Sequence, residues 1–316
     1  MSKVVIMESL GISDAELKRH EQPFIEKGHE FVSYEKTGDT ETLVTEAKDA
    51  DVMILANMPM PAEVLEKAEN LKFIDVAFTG TDHVALSVAR ERGIKVSNAS
   101  GYSNEAVAEL VLGMVLNLLR NMSKVEMRCR AGETKAGLVG SELKGKTVGI
   151  IGYGKIGRRS AELFHAFGCR VLAQSRTVKP DAQGFVTQVD QDTLLKESDI
   201  VVLHCPLNDS TRGMINKEKL SLMKPTALLI NVARGPVVVS QDLADALNNG
   251  VIAGAGVDVF DKEPPLPLDE PLLHAKNCLV TPHVAFASEE SMSLRADIVF
   301  ENLKAFFDGG QLNPVL

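Results

Sequence analysis

Short β-branched runs alternate with stretches of helical periodicity along most of the chain. Residues 3–7, 31–34, 51–55, 73–77 and 95–97 read as strands. Helices fit between them: one opened by the capping box Ser13-x-x-Glu16, then 40–50, 61–69 with Pro61 at its first position, and 83–92 after an Asp82 cap. Residues 103–120 carry the strongest helical pattern, with Ser103 as cap. Val107, Leu110, Val111, Met114, Val115 and Leu118 share one face, widened by Leu112, Leu116 and Leu119. So wide a face suits a helix wedged between two domains, or a surface for self-association together with the polar arm that follows. A second series then begins, with strands at 147–151, 170–174, 200–204, 227–232, 252–258 and 278–281, the last a buried strand opened by Cys278. Helix 240–249 stops at Gly250. A final helix, 288–307, carries Met292, Ala296, Val299, Leu303 and Phe306 on one stripe and is stopped by Gly309-Gly310; it can cross back to the first unit. Both series predict parallel sheets covered by helices on both faces.

Length and charge narrow the function classes. With 316 residues, 45% of them apolar, two domains are expected. A net charge of −9 argues against a nucleic-acid binder and requires locally placed cations for any anionic ligand. Only Val4 to Met7 precede Glu8 as an apolar run, which is no secretory signal, and the longest apolar stretch, 110–119, is too short to span a bilayer. Cys129, Cys169, Cys205 and Cys278 are widely spaced, as in a reduced, cytoplasmic protein. His274, Cys278 and His283 match no common zinc spacing, so no metal is expected.

The stretch TVGIIGYGKIG, residues 147–157, organises the rest. A strand runs into Gly152, Gly154 and Gly157, and a helical stretch follows through Lys155 and Ile156. Gly152 permits the turn, Gly154 lets backbone approach a pyrophosphate, and Gly157 lets helix and strand pack closely. The helix N-terminus then offers unpaired N–H groups to the anion. The pattern points to a dinucleotide, with a methyltransferase-type nucleotide pocket as the alternative.

In an open parallel sheet, ligands bind beyond the carboxyl ends of the strands. Three later strands deliver Arg234 in NVARGP, Glu263 in DVFDKEPP and His283 in TPHVAF to the rim that holds the glycine turn. A forked, permanent cation can hold a substrate carboxylate and polarise the adjacent carbonyl. An imidazole can pass the proton, and a carboxylate beside it orients the ring and favours its charged form. Taken singly, each has a plainer reading: a surface arginine, a solvated carboxylate beside prolines, a loop histidine.

The blocks ELKGKTVGIIGYGKIG, HCPLNDSTRGMIN, LLINVARGPVV, GAGVDVFDKEPP and TPHVAFAS, together with TGTDHV and SNEAVAELVLGMVLNLLR, resemble the D-isomer-specific 2-hydroxyacid dehydrogenases over nearly the whole chain. The resemblance implies an α/β protein of two domains, a Rossmann coenzyme domain (99–285) inserted in a smaller flavodoxin-like substrate domain (1–98 and 286–316). The hinges would lie near Asn98 and Phe286, usually within a homodimer. It implies Arg234, Glu263 and His283 as the catalytic trio and backbone N–H groups of Thr79, Gly80 and Thr81 on the substrate carboxylate. Asn57 and Met58, which follow the third strand of the first domain, are expected to border the substrate, with simple packing as the alternative for Met58 and Met60. Around the cofactor the resemblance sets His204, Cys205, Pro206, Thr211, Val232, Ala233 and Asp258. The chain departs from the family in lacking tryptophan, in TPHVAF after the strand, and at the end of the second strand. There, VLAQ runs into Ser175-Arg176 and no carboxylate appears before Asp181, a pattern that suits the 2′-phosphate of NADP(H) better than NAD(H). A small 2-oxoacid such as glyoxylate or hydroxypyruvate is the implied substrate. The competing readings are a dinucleotide-sensing corepressor and an NAD-dependent phosphoglycerate dehydrogenase-like enzyme. The latter is disfavoured by the lack of a basic cluster in the first domain and of a regulatory domain after the tail helix. Formate dehydrogenases carry glutamine where Glu263 stands.

Overall fold

The structure, a computed structural model, describes residues 1–262 and 265–316; Glu263 and Pro264 lie outside the described residues. The chain divides into two compact units, Met1–Ser103 with Ala287–Leu316, and Asn104–Phe286.

The first unit runs β1 (Lys3–Ile6), α1 (Asp14–Ile25), β2 (Glu30–Ser33), α2 (Thr40–Ala47), β3 (Val52–Leu55), α3 (Ala62–Lys67), β4 (Phe73–Val76), α4 (Leu86–Glu91) and β5 (Lys95–Asn98). All strand pairs are parallel, in the order β2-β1-β3-β4-β5. This is the flavodoxin-like order, whose direction reverses between β1 and β3. Ser13 and Asp39 cap α1 and α2 by accepting from Glu16 N and Thr42 N. Two starts differ from the expectation. Pro61 sits just before α3 as its cap residue. Helix α4 begins at Leu86, not at 83, and Asp82 does not cap it: Met60 pairs with Val84, its N–H donating to His83 O while Ala85 N donates to Met60 O. Those bonds use the backbone that a first turn would need.

The second unit contains α5 (Asn104–Arg120), α6 (Met122–Arg130), β6 (Thr147–Ile151), α7 (Lys155–Ala166), β7 (Arg170–Gln174), β8 (Val186–Gln188), α8 (Gln191–Glu197), β9 (Ile200–Leu203), α9 (Lys217–Ser221), β10 (Leu228–Asn231), α10 (Ser240–Asn248), β11 (Gly254–Val257) and β12 (Cys278–Val280). Its sheet has seven parallel strands in the order β12-β11-β10-β9-β6-β7-β8, one more than the six expected; the additional one is the edge strand β8. Because β12 is the other edge, Cys278 is half-buried there, not sunk in a buried strand. Alternate side chains serve opposite faces. Ile200 and Val202 join a core with Val111, Met114 and Val115 of α5 and Ala161 and Phe164 of α7. Val201 and Leu203 join a second core with Leu194 of α8, Leu220 of α9 and Leu243 of α10. Helix α5 lies close on β11 because Gly256 leaves room for Met114. It stops at Asn121, whose left-handed φ of +53° turns the chain by 60° into α6, a helix with no buried residue.

The tail helix α11 (Glu289–Phe307) returns to the first unit, capped by the Ser288–Ser291 box. Phe306 stacks on Phe73 of β4 at 4.5 Å, and Asn302 Nδ2 donates to the buried Asp75 at 3.0 Å. No single helix among the described residues is long and apolar enough to cross a membrane.

Candidate active site

The glycine turn is shaped by its neighbours. Gly152 sits at φ +101°, and a Cβ there would meet His204 C and Cys205 N at 2.5 Å, so the turn lies flush on the end of β9. A Cβ at Gly157 would run into Gly152 O; this is where α7 is pressed onto β6. Gly154, just ahead of α7, faces open space. Two glycines close the turn and the third is left clear for a ligand, the arrangement a pyrophosphate needs. Lys155, Ile156 and Gly157 form the first turn of α7 behind it.

Around this turn lies a cavity of about 430 Å³, lined by residues of the second unit alone. Gly152, Gly154, Ser175, Arg176, His204, Cys205, Pro206 and Thr211 line it, as do Tyr153 and Lys179, which were not singled out from the sequence. Val232, Ala233 and Asp258 lie outside its lining. Arg176 and Lys179 are the cations on the wall, and no described carboxylate shares it. Asp181, the first acid after β7, is taken by Arg158 of α7, whose Nη2 lies 2.8 Å from Asp181 Oδ1 and holds that carboxyl below its usual range. Ser175 Oγ donates to Thr177 O at 2.8 Å. The segment is anchored from β8, where Gln188 accepts from Lys179 N at 2.7 Å and donates to Lys179 O at 2.8 Å. Opposite, Thr211 Oγ1 accepts from Asn208 N and donates to Pro206 O, closing the loop after β9. His204 bonds Ser160 of α7 through Nε2 at 2.9 Å, and burial pushes its pKa down to about 3, so the ring stays neutral. Burial also pushes the Cys205 thiol up to about 11, making it a packing group rather than a nucleophile.

Arg234 and His283 follow the carboxyl ends of β10 and β12, the two strands that flank β11. The Arg234 loop is set from within: Asn231 accepts from Ala233 N at 3.1 Å and donates to Arg234 O at 3.0 Å. Gly235 lies against the Phe260 carbonyl and Asp261 N, so close that any side chain would clash with that backbone. This packing ties the Arg234 loop to the segment that leads into Glu263, which lies outside the described residues. His283 is held at φ +56° with its N–H donating to Asp258 O at 2.8 Å. The buried Asp258 carboxylate accepts from Thr281 Oγ1 at 2.5 Å and from the N–H groups of Val284 and Ala285, each at 2.9 Å. The backbone on both sides of the imidazole is thereby fixed.

In the first unit, the turn after β4 carries Thr79, Gly80 and Thr81. Thr79 O accepts from Asn98 Nδ2 at 2.8 Å, and Thr79 Oγ1 is buried with no hydrogen-bond partner among the described residues. Asn57 follows β3 and accepts from Lys36 Nζ at 2.7 Å. Met58 and Met60 are fully buried.

Residues 112–285 match the family described as "D-isomer specific 2-hydroxyacid dehydrogenase, NAD binding domain". A hydroxypyruvate reductase from Blautia hydrogenotrophica is 35% identical over 325 residues, covering 99% of each chain. Among solved structures, D-lactate dehydrogenase from Aquifex aeolicus, complexed with NAD and lactic acid, is 29% identical. It covers 97% of this chain and 96% of its own at a TM-score of 0.87. An acyclic imino acid reductase in complex with NADPH and D-Arg is 28% identical, covering 99% of this chain and 100% of its own at a TM-score of 0.91. The parallel order of both sheets, the glycine turn under its cavity and these similarities along the full chain lead to one conclusion: the protein is a nicotinamide-dependent enzyme that belongs to the D-isomer-specific 2-hydroxyacid dehydrogenase family.

Proposed function

We propose that the enzyme reduces small 2-oxoacids of the glyoxylate or hydroxypyruvate type to D-2-hydroxyacids, with NADP(H) preferred over NAD(H). One observation carries the cofactor preference: the cavity wall after β7 holds Ser175, Arg176 and Lys179 and no described carboxylate, while Asp181 is engaged by Arg158. A carboxylate there bonds ribose hydroxyls and repels a 2′-phosphate, whereas a hydroxyl and two cations accept it. When bound, the nicotinamide supplies the hydride. The chain's own residues do the rest. The N–H groups around Gly154 and at the start of α7 receive the pyrophosphate. Arg234 holds the substrate carboxylate and draws charge toward the carbonyl oxygen. His283 delivers a proton to that oxygen, with Glu263 orienting the ring. The first unit acts as the substrate domain, with the backbone N–H groups of its 79–81 turn as carboxylate donors.

Two further assignments accompany this reading. The half-buried leucines of α5 and the exposed Met122 and Met127 of α6 support a homodimer, against which a solution mass of one chain would stand. Four free thiols suit a reducing compartment such as the cytoplasm. The direct test is NADPH oxidation by the purified enzyme over a panel of 2-oxoacids. Turnover with glyoxylate or hydroxypyruvate, falling by about 10²–10⁴ in His283→Ala, is expected. A chain that binds NADPH but turns over none of the panel would favour a sensing role.

A further inference from the structure

Gln191, the first residue of α8, lines the cavity around the glycine turn and takes no part in hydride or proton transfer. Its side chain is half-buried, and its Nε2 is buried with no hydrogen-bond partner among the described residues. A buried donor is costly to leave unpaired, so native structures almost always give it an acceptor. Here the side chain borders a ligand cavity, and the acceptor can come from the ligand.

The position of Gln191 is fixed on both sides. Asp190 caps α8 by accepting from Thr193 N at 2.9 Å and from Thr193 Oγ1 at 2.6 Å, and Leu194 and Leu195 are fully buried in the next turn. Ahead of the cap, Val189 N donates to Ala173 O of β7 at 3.0 Å. Gln188, three residues earlier, clasps the backbone of Lys179. The amide and the cationic wall are thus carried by one braced segment.

The residue type narrows what it can recognise. Arg176 and Lys179 already supply positive charge for a phosphate. A primary amide is neutral and carries an acceptor, Oε1, beside its donor. A phosphate oxygen would use only the donor. Adenine uses both, because it sets a ring-nitrogen acceptor next to its N6 amine, and glutamine pairs with that edge through two hydrogen bonds. The same cavity has apolar surface for the faces of a flat base, from Ile151, Pro206 and Met214.

We propose that Gln191 pairs with the adenine base of the cofactor, so that the enzyme selects the base of its dinucleotide as well as the 2′ substituent. This rests on the reading that the cavity receives a nicotinamide dinucleotide, and deepens it by naming the residue that reads the base.

The experiment measures Kd by isothermal titration calorimetry for NADPH, NADH and the hypoxanthine counterpart of each. Hypoxanthine has an oxygen in place of the N6 amine, so the edge loses that donor while ribose and phosphates stay the same. The wild type should bind each adenine cofactor about fivefold or more tighter than its hypoxanthine counterpart. Gln191→Leu, and equally Gln191→Met, should bring that ratio to within about twofold of unity and leave the ratio of NADPH to NADH as it is. Gln241→Leu, which removes an exposed amide bonded to Asp245 on α10, should change neither ratio. A wild type indifferent to the base, or Gln191 variants that keep the full base ratio, would overturn the proposal. A change confined to the ratio of NADPH to NADH would place the amide at the 2′-phosphate, and equal weakening of all four probes would place it at the ribose; either result overturns the pairing with adenine. A wild type that binds none of the four would overturn the dinucleotide reading itself, and the proposal with it.

Discussion

His283 donates its backbone N–H to the carbonyl oxygen of Asp258 at 2.8 Å, while the Asp258 carboxylate gathers Thr281, Val284 and Ala285 around it. One buried residue thus supports the whole loop that presents the imidazole. The family resemblance sets Asp258 at the cofactor, and in the structure its carboxylate accepts from this loop.

Replacing Asp258 with alanine should therefore affect folding and catalysis together. Three donors lose their acceptor in a buried site, a cost of roughly 3 kcal/mol. Urea unfolding should show that loss, and kcat should fall more than tenfold as His283 leaves its left-handed conformation. A variant that loses stability but keeps kcat would show that the loop holds its geometry without the carboxylate.

Asp75 gives a prediction in pH. Fully buried on β4, it is bonded through Oδ1 to Asn302, while Oδ2 has no hydrogen-bond partner among the described residues, and burial pushes its pKa up to about 8. The folded state therefore holds this proton across a range in which the unfolded chain, with an ordinary aspartate, has lost it. Between about pH 4 and pH 8 the folded state binds more protons, so this group's contribution is fully present below the unfolded value and is lost as pH rises through the folded one. Asp75→Asn keeps the acceptor for Asn302 and carries no charge. Its Tm advantage over the wild type should widen from pH 5 to pH 8 and then level off; an advantage constant with pH would contradict the assignment.

Much of this was legible in the sequence, for identifiable reasons. The glycine turn was readable because strand, turn and helix each carry a local signal, and the position of Arg234 and His283 after parallel strands because such strands deliver their following loops to one rim. Strand β8 escaped because it is a three-residue edge strand with Thr187 exposed and Gln188 turned to the Lys179 backbone, leaving no apolar alternation. Helix α6 escaped because it buries nothing and so has no stripe. The late start of α4 comes from the Met60–Val84 pairing, a contact distant in sequence. The engagement of Asp181 by Arg158 is likewise long-range, joining charges that look like ordinary surface residues when read in order.

The cofactor wall is where the account is most exposed to test. Ser175→Asp puts a carboxylate beside Arg176, where it would repel a 2′-phosphate and accept from ribose hydroxyls, so it should move preference toward NADH by about tenfold or more. A variant that binds both cofactors as the wild type does would show that position 175 does not contact the ribose.

The most direct measurement is the ratio of kcat/KM for NADPH to that for NADH in the purified wild-type enzyme, at one fixed 2-oxoacid. The two cations on the wall, with Asp181 held by Arg158, predict that NADPH is preferred by about tenfold or more. A tenfold preference for NADH would contradict it.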